Sequence, residues 1–246
     1  MTRRALLAED DETNQLYAIS LLERDGWVVE LARTGRDAVA LAADRVYDVI
    51  LMDCQMPELS GYEAVREIRR HEGAARHAPI IALTAHATKA DRERCLAAGM
   101  DAYVCKPFDV EALDQALQVA RRQEGVAVAG APAPSLESPA SEFVLDPSRL
   151  AQLSPDAHAR VVELFIGSAR QRITDLAVAV AAGDAVTAQG IAHSLKGSAA
   201  TIGATRMSDA CAQIGAALSG GPSDDLQASQ SDLATAFALT EAALAA

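Results

Sequence analysis

The sequence predicts a five-stranded, parallel, doubly wound α/β domain followed by an all-α four-helix bundle, and three features of its 246 residues predict it. Five short apolar runs, each stopped by a charged or turn residue, alternate with helical patterns over residues 1–122. Residues 123–142 lose that periodicity and turn to Gly, Ala, Pro, Ser and Val. From residue 143 onward the pattern is helical and punctuated by glycine. Strands alternating with helices give a parallel sheet covered on both faces, whereas amphipathic helices joined by short connections give an up-down bundle.

In the first half, Ala5–Ala8 reads as a buried strand ending on Glu9, Asp10 and Asp11. Thr13 offers a cap to a helix carrying Leu16, Ile19, Ser20 and Leu22 to about Asp25. Trp27–Leu31 is the second strand, and Thr34-Gly35 leads into a helix with Ala38, Val39 and Leu41. The third strand, Val49–Met52, runs straight into Asp53 and the turn residues Cys-Gln-Met-Pro-Glu-Leu-Ser-Gly, after which a helix covers about Tyr62–Arg70. Ile80–Leu83 ends on Thr84 and is followed by a helix at Asp91–Ala98. Ala102–Cys105 ends on Lys106-Pro107 and leads into the helix Val110–Arg121.

In a parallel sheet every strand ends at the same edge, so Glu9, Asp10, Asp53, Thr84 and Lys106 converge there, where open α/β sheets bind ligands. Taken singly, each has an ordinary explanation as a cap, a strand residue or a solvated lysine; five together at strand ends do not. Three carboxylates in one small site repel one another unless a cation joins them, and Mg²⁺ suits oxygen ligands that leave room for water and phosphate. With Mg²⁺ and Lys106 the formal charge of the pocket is neutral, able to accept a phosphoryl group with Asp53 as nucleophile and the Thr84 hydroxyl donating. A phosphatase of the haloacid-dehalogenase type also pairs a strand-end Asp with Thr, Lys and Mg²⁺, but needs a second Asp two residues on, where this chain has Gln55.

Residues 4–122 resemble the receiver domain of two-component response regulators, of flavodoxin-like fold, on the acidic pair Glu9-Asp10, the strand-end Asp53, Thr84, Lys106-Pro107 and the stretch LMDCQMPELSGYEA at 51–64. The resemblance implies Asp53 as phosphoacceptor, Thr84 as the switch hydroxyl, Tyr103 as the aromatic rotamer switch, and a Mg²⁺ shell of Glu9, Asp10, Asp53 and the main-chain carbonyl of Gln55. Many receivers carry Asp-Asp where this chain has Glu9-Asp10. That stretch is typical of receivers attached to hybrid kinases.

Residues 123–142, with Ala-Pro-Ala-Pro at 131–134, read as a linker. About 20 flexible residues span roughly 25 Å on average. Such a tether holds its two ends at roughly millimolar effective concentration where geometry lets them meet. Beyond it, Asp146-Pro147 opens a short turn, and helices are expected at Pro155–Ala182, Asp184–Thr201, Ala204–Leu218 and Asp224–Ala245.

In the second of these, Ile191, Leu195, Ala199 and Ile202 form the core stripe. His193 lies two residues from Ile191 and from Leu195, about 200° round the helix, and points outward. Its face carries Gln189, Gly190, Lys196, Gly197 and Ala200, small or polar residues that leave the imidazole accessible for docking. Lys196 is placed to attract a phosphoryl group, while no carboxylate or second histidine shares the face as base or metal ligand. This pattern belongs to a carrier whose catalytic machinery comes from a partner. The segment AHSLKGSAATIGA at 192–204 resembles the signature of histidine-containing phosphotransfer (HPt) domains, over about residues 143–246. On that resemblance His193 is the phosphorylated residue, supported by Lys196, Gly197 and Gln189. The other histidines, His71, His77, His86 and His158, lie in less specific surroundings.

The net charge of −12, with both halves acidic, argues against a nucleic-acid backbone surface. Cys54, Cys95, Cys105 and Cys211 are scattered, which fits a reduced, cytoplasmic compartment, and no run of about 18 apolar residues offers a membrane span. The two resemblances together imply a phosphorelay protein without a kinase domain, exchanging phosphate with a hybrid sensor histidine kinase and a downstream response-regulator receiver. Receivers of this family also pair through their fourth and fifth helices, a homodimer the resemblance allows. A regulatory switch, or a phosphate sink acting on the HPt domain, is the alternative. The order of the domains is that of the carboxyl end of hybrid kinases, while the Met1 start favours a free-standing protein slightly.

Overall fold

In the computed structural model, residues 3–72, 77–84, 88–122, 144–220 and 223–245 are described. The chain forms two units divided between Leu136 and Glu137. The expected linker, 123–142, lies outside the described residues, as does His86.

In the first unit the strands β1 (Arg3–Ala8), β2 (Trp27–Ala32), β3 (Val49–Asp53), β4 (Ile80–Thr84) and β5 (Ala102–Cys105) alternate with α1 (Glu12–Arg24), α2 (Gly35–Asp44), α3 (Gly61–His71), α4 (Lys89–Ala98) and α5 (Val110–Arg122). All pairings are parallel in the order β2-β1-β3-β4-β5, the flavodoxin-like winding whose order reverses between β1 and β3. Strand residues alternate between two cores. Ala5, Leu7, Val49, Leu51, Ile81 and Leu83 meet Ala18 and Leu22 of α1 and Leu113, Ala116 and Leu117 of α5. Leu6, Ala8, Ile50, Met52, Ile80 and Ala82 meet Ala38, Ala64, Val65, Ile68 and Cys95 of α2, α3 and α4. With both faces covered, the central strands have no polar side to give, which is why they read as continuous apolar runs.

Several expectations are corrected. Helix α1 is capped by Asp11, which accepts from the Asn14 N–H, and not by Thr13, whose hydroxyl is buried with no partner among the described residues. Of the residues expected to carry the helix, Leu22 is buried and Ile19 packs against the core, whereas Leu16 and Ser20 are half-buried; the buried face is Thr13, Asn14, Gln15, Tyr17, Ala18, Leu21 and Leu22. The first turn lies beside Glu9, where the buried Asn14 and Gln15 side chains donate to its carboxylate and carbonyl. Helix α4 starts at Lys89 because Thr88 caps the Asp91 N–H and donates its hydroxyl to the Asp91 carboxylate at 2.6 Å; Asp91 is the capping partner and not the start.

The second unit comprises α6 (Pro147–Leu150), α7 (Pro155–Ala181), α8 (Ala185–Ile202), α9 (Thr205–Leu218) and α10 (Ser223–Leu244). The last four pack in cyclic order, α7 on α8, α8 on α9, α9 on α10 and α10 back on α7, around Val161, Phe165, Leu195, Ile202, Met207, Ile214 and Leu233. Arg170 of α7 and Glu241 of α10 form an ion pair. Gly203 ends α8 at φ +85°, where an added Cβ would lie 2.4 Å from the Asp146 carbonyl oxygen; the Asp146 N–H donates to the Gly203 carbonyl at 2.8 Å. Only glycine lets the entry of α6 close on the α8–α9 turn. The buried stripe of α8 is Ala188, Ala192, Leu195, Ser198, Ala199, Thr201 and Ile202, with Ile191 only half-buried. Small residues replace the expected Ile191 because α8 lies between two neighbouring helices.

Candidate functional site at the sheet edge and the α8 face

At the switch point of the sheet, β1 ends into Glu9, whose N–H still donates to Ala32 of the neighbouring strand at 3.1 Å. Glu9 is 1% exposed and Asp53, the last residue of β3, is 8% exposed. Lys106 follows β5, held there by its N–H donating to the Thr84 carbonyl at 2.7 Å. Its ammonium donates to Asp53 Oδ2 at 2.7 Å and to Glu9 Oε2. Asp53 Oδ1 accepts from the Gln55 N–H at 3.1 Å. Thr84 is buried at the end of β4, one residue beyond the Asp53–Leu83 register pair. Tyr103 is half-buried on β5 and packs on the α3 and α4 side of the sheet.

The strand-end position of Asp53 depends on Gly61. A Cβ at Gly61 would lie 1.9 Å from the Asp53 carbonyl oxygen, and the Gly61 N–H donates to Cys54 at 3.2 Å. Ser60 and Glu63 form a capping box there, so α3 starts within contact of the strand that delivers Asp53.

Glu9, Asp10 and Asp53 each offer an oxygen within 4.8 Å of the others, the one such cluster of potential metal ligands among the described residues. Burial pushes the Glu9 carboxyl up to about 8; the Lys106 ammonium acts against this and the Asp53 charge adds to it. Asp10 is also raised, by burial and then by Asp53. Burial opposes the Lys106 charge, yet Asp53 and Glu9 outweigh it and hold the ammonium above its ordinary value. One ammonium among three carboxylates leaves a formal deficit of two positive charges, and the donors are hard oxygens. A divalent cation fits on both counts.

The sheet edge also holds groups that the sequence reading did not single out. Glu9 Oε1 accepts from Asn14 Nδ2 at 3.1 Å and from the Asp11 N–H at 3.3 Å, and Gln15 Nε2 donates to the Glu9 carbonyl at 2.7 Å. Asn14 and Gln15 fall in the polar opening Glu12-Thr13-Asn14-Gln15 of α1, which carries no signal that sets them apart from a solvated first turn.

On α8, His193 is half-buried, about 200° round the helix from the buried Leu195. Gln189 is exposed, and its amide donates to Ser219 Oγ at the end of α9 at 2.9 Å. Gly197 is half-buried, and a Cβ at Gly190 would meet nothing within 4 Å. Lys196 is half-buried rather than fully solvated. Burial lowers its ammonium below the ordinary lysine value, while Cys211 and Asp209 on α9 pull the other way. His71, His77 and His158 are exposed.

The first unit is an α/β domain with a strand-end aspartate bridged to a lysine inside an acidic cluster, and comparison with known proteins gives the family. The model of the response regulator receiver domain matches residues 5–118, and that of the Hpt domain matches residues 160–246. The polar-differentiation response regulator DivK of Brucella ovis is 40% identical over 110 residues, covering 45% of this chain and 89% of that protein. Histidine kinase 1 of Arabidopsis thaliana is 39% identical over 140 residues, 43% of this chain and 12% of the kinase. A crystal structure of the receiver domain of a Pseudomonas aeruginosa sensor histidine kinase, with magnesium coordinated in its active-site cleft, is 47% identical with a TM-score of 0.44, covering 48% of this chain and 96% of that one. The chain belongs to the response-regulator receiver family and joins that domain to an Hpt domain. It spans 7–14% of the length of the histidine kinases it matches. No helix among the described residues is long and apolar enough to cross a membrane.

Proposed function

We propose that the chain is a two-component phosphorelay protein in which residues 1–122 accept a phosphoryl group on Asp53 and residues 143–246 carry one on His193, with 123–142 as the tether. The observation that carries this reading is the bridge from Lys106 to Asp53 and Glu9 inside the carboxylate cluster, in the same chain as an Hpt domain. Its partners are a hybrid sensor histidine kinase and a downstream response-regulator receiver, consistent with the hybrid kinases among its relatives. Pairing of receivers remains part of the same reading. The scattered free cysteines suit a reducing, cytoplasmic setting.

In this reading an Asp53 oxygen attacks phosphorus, the bond from phosphorus to the donor imidazole breaks, and the phosphoryl oxygens meet Lys106 and Thr84. Glu9, Asp10, Asp53 and the Gln55 carbonyl would hold Mg²⁺, which supplies positive charge to the phosphoryl oxygens. Lys106 is already fixed between two carboxylates, so little reorganisation precedes transfer. Tyr103 and Thr84 are the proposed switch pair. On α8, Lys196 attracts the phosphoryl group, and Gly197 and Gln189 keep the approach to His193 low and polar. The domain needs no base of its own, because the attacking carboxylate is the partner receiver's.

A phosphotransfer time course with a radiolabelled hybrid kinase tests the reading, comparing wild type, Asp53→Asn and His193→Gln and scoring acid and base lability. Label reaching His193 only when Asp53 is intact establishes the relay. Equal labelling of His193 in Asp53→Asn makes the receiver a regulator or sink.

A further inference from the structure

Glu9 is a longer acid than the aspartate common at its position, and both of its oxygens are engaged. Oε2 accepts from the Lys106 ammonium; Oε1 accepts from Asn14 Nδ2 at 3.1 Å and more weakly from the Asp11 N–H at 3.3 Å. Asn14 itself is fixed by its N–H donating to the Asp11 capping carboxylate at 2.9 Å, and the next residue, Gln15, holds the Glu9 backbone through its carbonyl. Glu9, Asp11, Asn14 and Gln15 are all buried, so water does not substitute for a lost donor without a gap opening. A glutamate carries one more rotatable bond than an aspartate, and something must hold it in one rotamer for its charge to count toward the cation and toward Lys106. Among the described residues, the Asn14 amide is the side-chain donor that does this on the Oε1 side.

We propose that Asn14 is a positioning residue for the cation site, acting through Glu9: its amide fixes the Glu9 carboxylate so that Oε2 stays on Lys106 while the group faces Asp10 and Asp53. This rests on the reading of Glu9, Asp10 and Asp53 as the Mg²⁺ site. Groups that orient metal ligands from behind are worth about 10- to 100-fold in metal affinity. Loss of Asn14 removes orientation without removing any ligand oxygen.

The test is a Mg²⁺ titration of the full chain, followed by amide chemical shifts, as a double-mutant cycle of Asn14→Ala and Glu9→Ala. Asn14→Ala is expected to weaken Mg²⁺ binding about tenfold on its own and to cause no further loss once Glu9 is alanine. A merely structural role would weaken binding equally in both backgrounds, and that result overturns the inference, as does unchanged affinity in the single variant. Should Asn14→Ala not fold, Asn14→Ser, too short to reach Oε1, takes its place in the cycle with the same outcomes. A wild type that takes up no Mg²⁺ overturns the metal reading itself and the inference with it, whereas normal uptake with no effect of Asn14 overturns the inference alone.

Discussion

The region around Asp53 and the region around His193 are built in opposite ways. Asp53, Glu9, Thr84 and Lys106 come from four strand ends spread over 98 residues, are buried or nearly so, and are wired to one another. His193, Lys196, Gly197 and Gln189 come from a single helix, within nine residues, and are half-buried or exposed. The first arrangement concentrates charge in a place shielded from water, where it acts strongly on a transferring phosphoryl group. The second presents an imidazole and one cation, both half-buried, and adds little else. Under the proposed function, the receiver brings its own electrostatics and the Hpt domain borrows them. The largest test is therefore chelation. Removing Mg²⁺ is expected to stop phosphoryl uptake at Asp53, as Asp53→Asn does, while phosphate already on His193 keeps its lifetime in the isolated chain carrying Asp53→Asn. Gel autoradiography with and without chelator checks this; loss of phosphohistidine on chelation would give the α8 site a metal dependence that its residues do not suggest.

A second way to break the contrast is mechanical. The receiver site is held by contacts that leave no room, Gly61 being 1.9 Å in the virtual Cβ sense from the Asp53 carbonyl. Gly61→Ala must push α3 away from β3, and is expected to destabilise the receiver by about 3 kcal/mol and to slow Asp53 phosphorylation. Denaturant melts of the receiver transition, set beside uptake rates, measure both.

The third difference is in protons. Burial holds the Glu9 carboxyl at about 8 in the cation-free protein, against an ordinary value of 4.5. For an acid raised on folding, the stabilisation is complete below 4.5 and is lost as pH rises through about 8. Cation-free receiver is thus expected to become less stable from pH 5 to pH 8, and Mg²⁺, which must displace the proton, to bind more tightly over the same interval, by up to about tenfold per pH unit. Thermal melts at several pH values with and without Mg²⁺ read both slopes. A flat Mg²⁺ affinity would mean that Glu9 is already ionised when the cation arrives.

The same contrast explains what could be read in the sequence. The strand ends that carry the candidate receiver site were legible because they are marked by abrupt stops: Asp53 after Val-Ile-Leu-Met, Thr84 after Ile-Ile-Ala-Leu, Lys106 before Pro107. A parallel sheet then brings such stops together without any knowledge of packing. The support behind Glu9 was not legible, because Asn14 and Gln15 look like ordinary residues of a solvated helix turn until the first turn of α1 is seen to lie beside Glu9. On α8 the outward placement of His193 followed from the 3.6-residue period alone. The shift of the buried stripe toward Ala188 and Ala192 did not, since alanine carries little hydrophobic signal and is buried here for its size.

The smallest expected effect separates the two regions most cleanly. Gly190 lies one turn before His193 on the same helix, and a methyl group there meets nothing within 4 Å. Glycine inside a helix costs about 0.5–1 kcal/mol relative to alanine, chiefly through the freedom of the unfolded chain. Gly190→Ala should therefore stabilise the helical unit by about that much, the opposite sign from Gly61→Ala. If the open space at Gly190 is kept for a docking receiver, the same methyl group will slow transfer to His193 from the partner while the isolated bundle gains stability. Thermal melting and transfer rate measured on one variant then move in opposite directions, a combination that an undocked surface cannot produce.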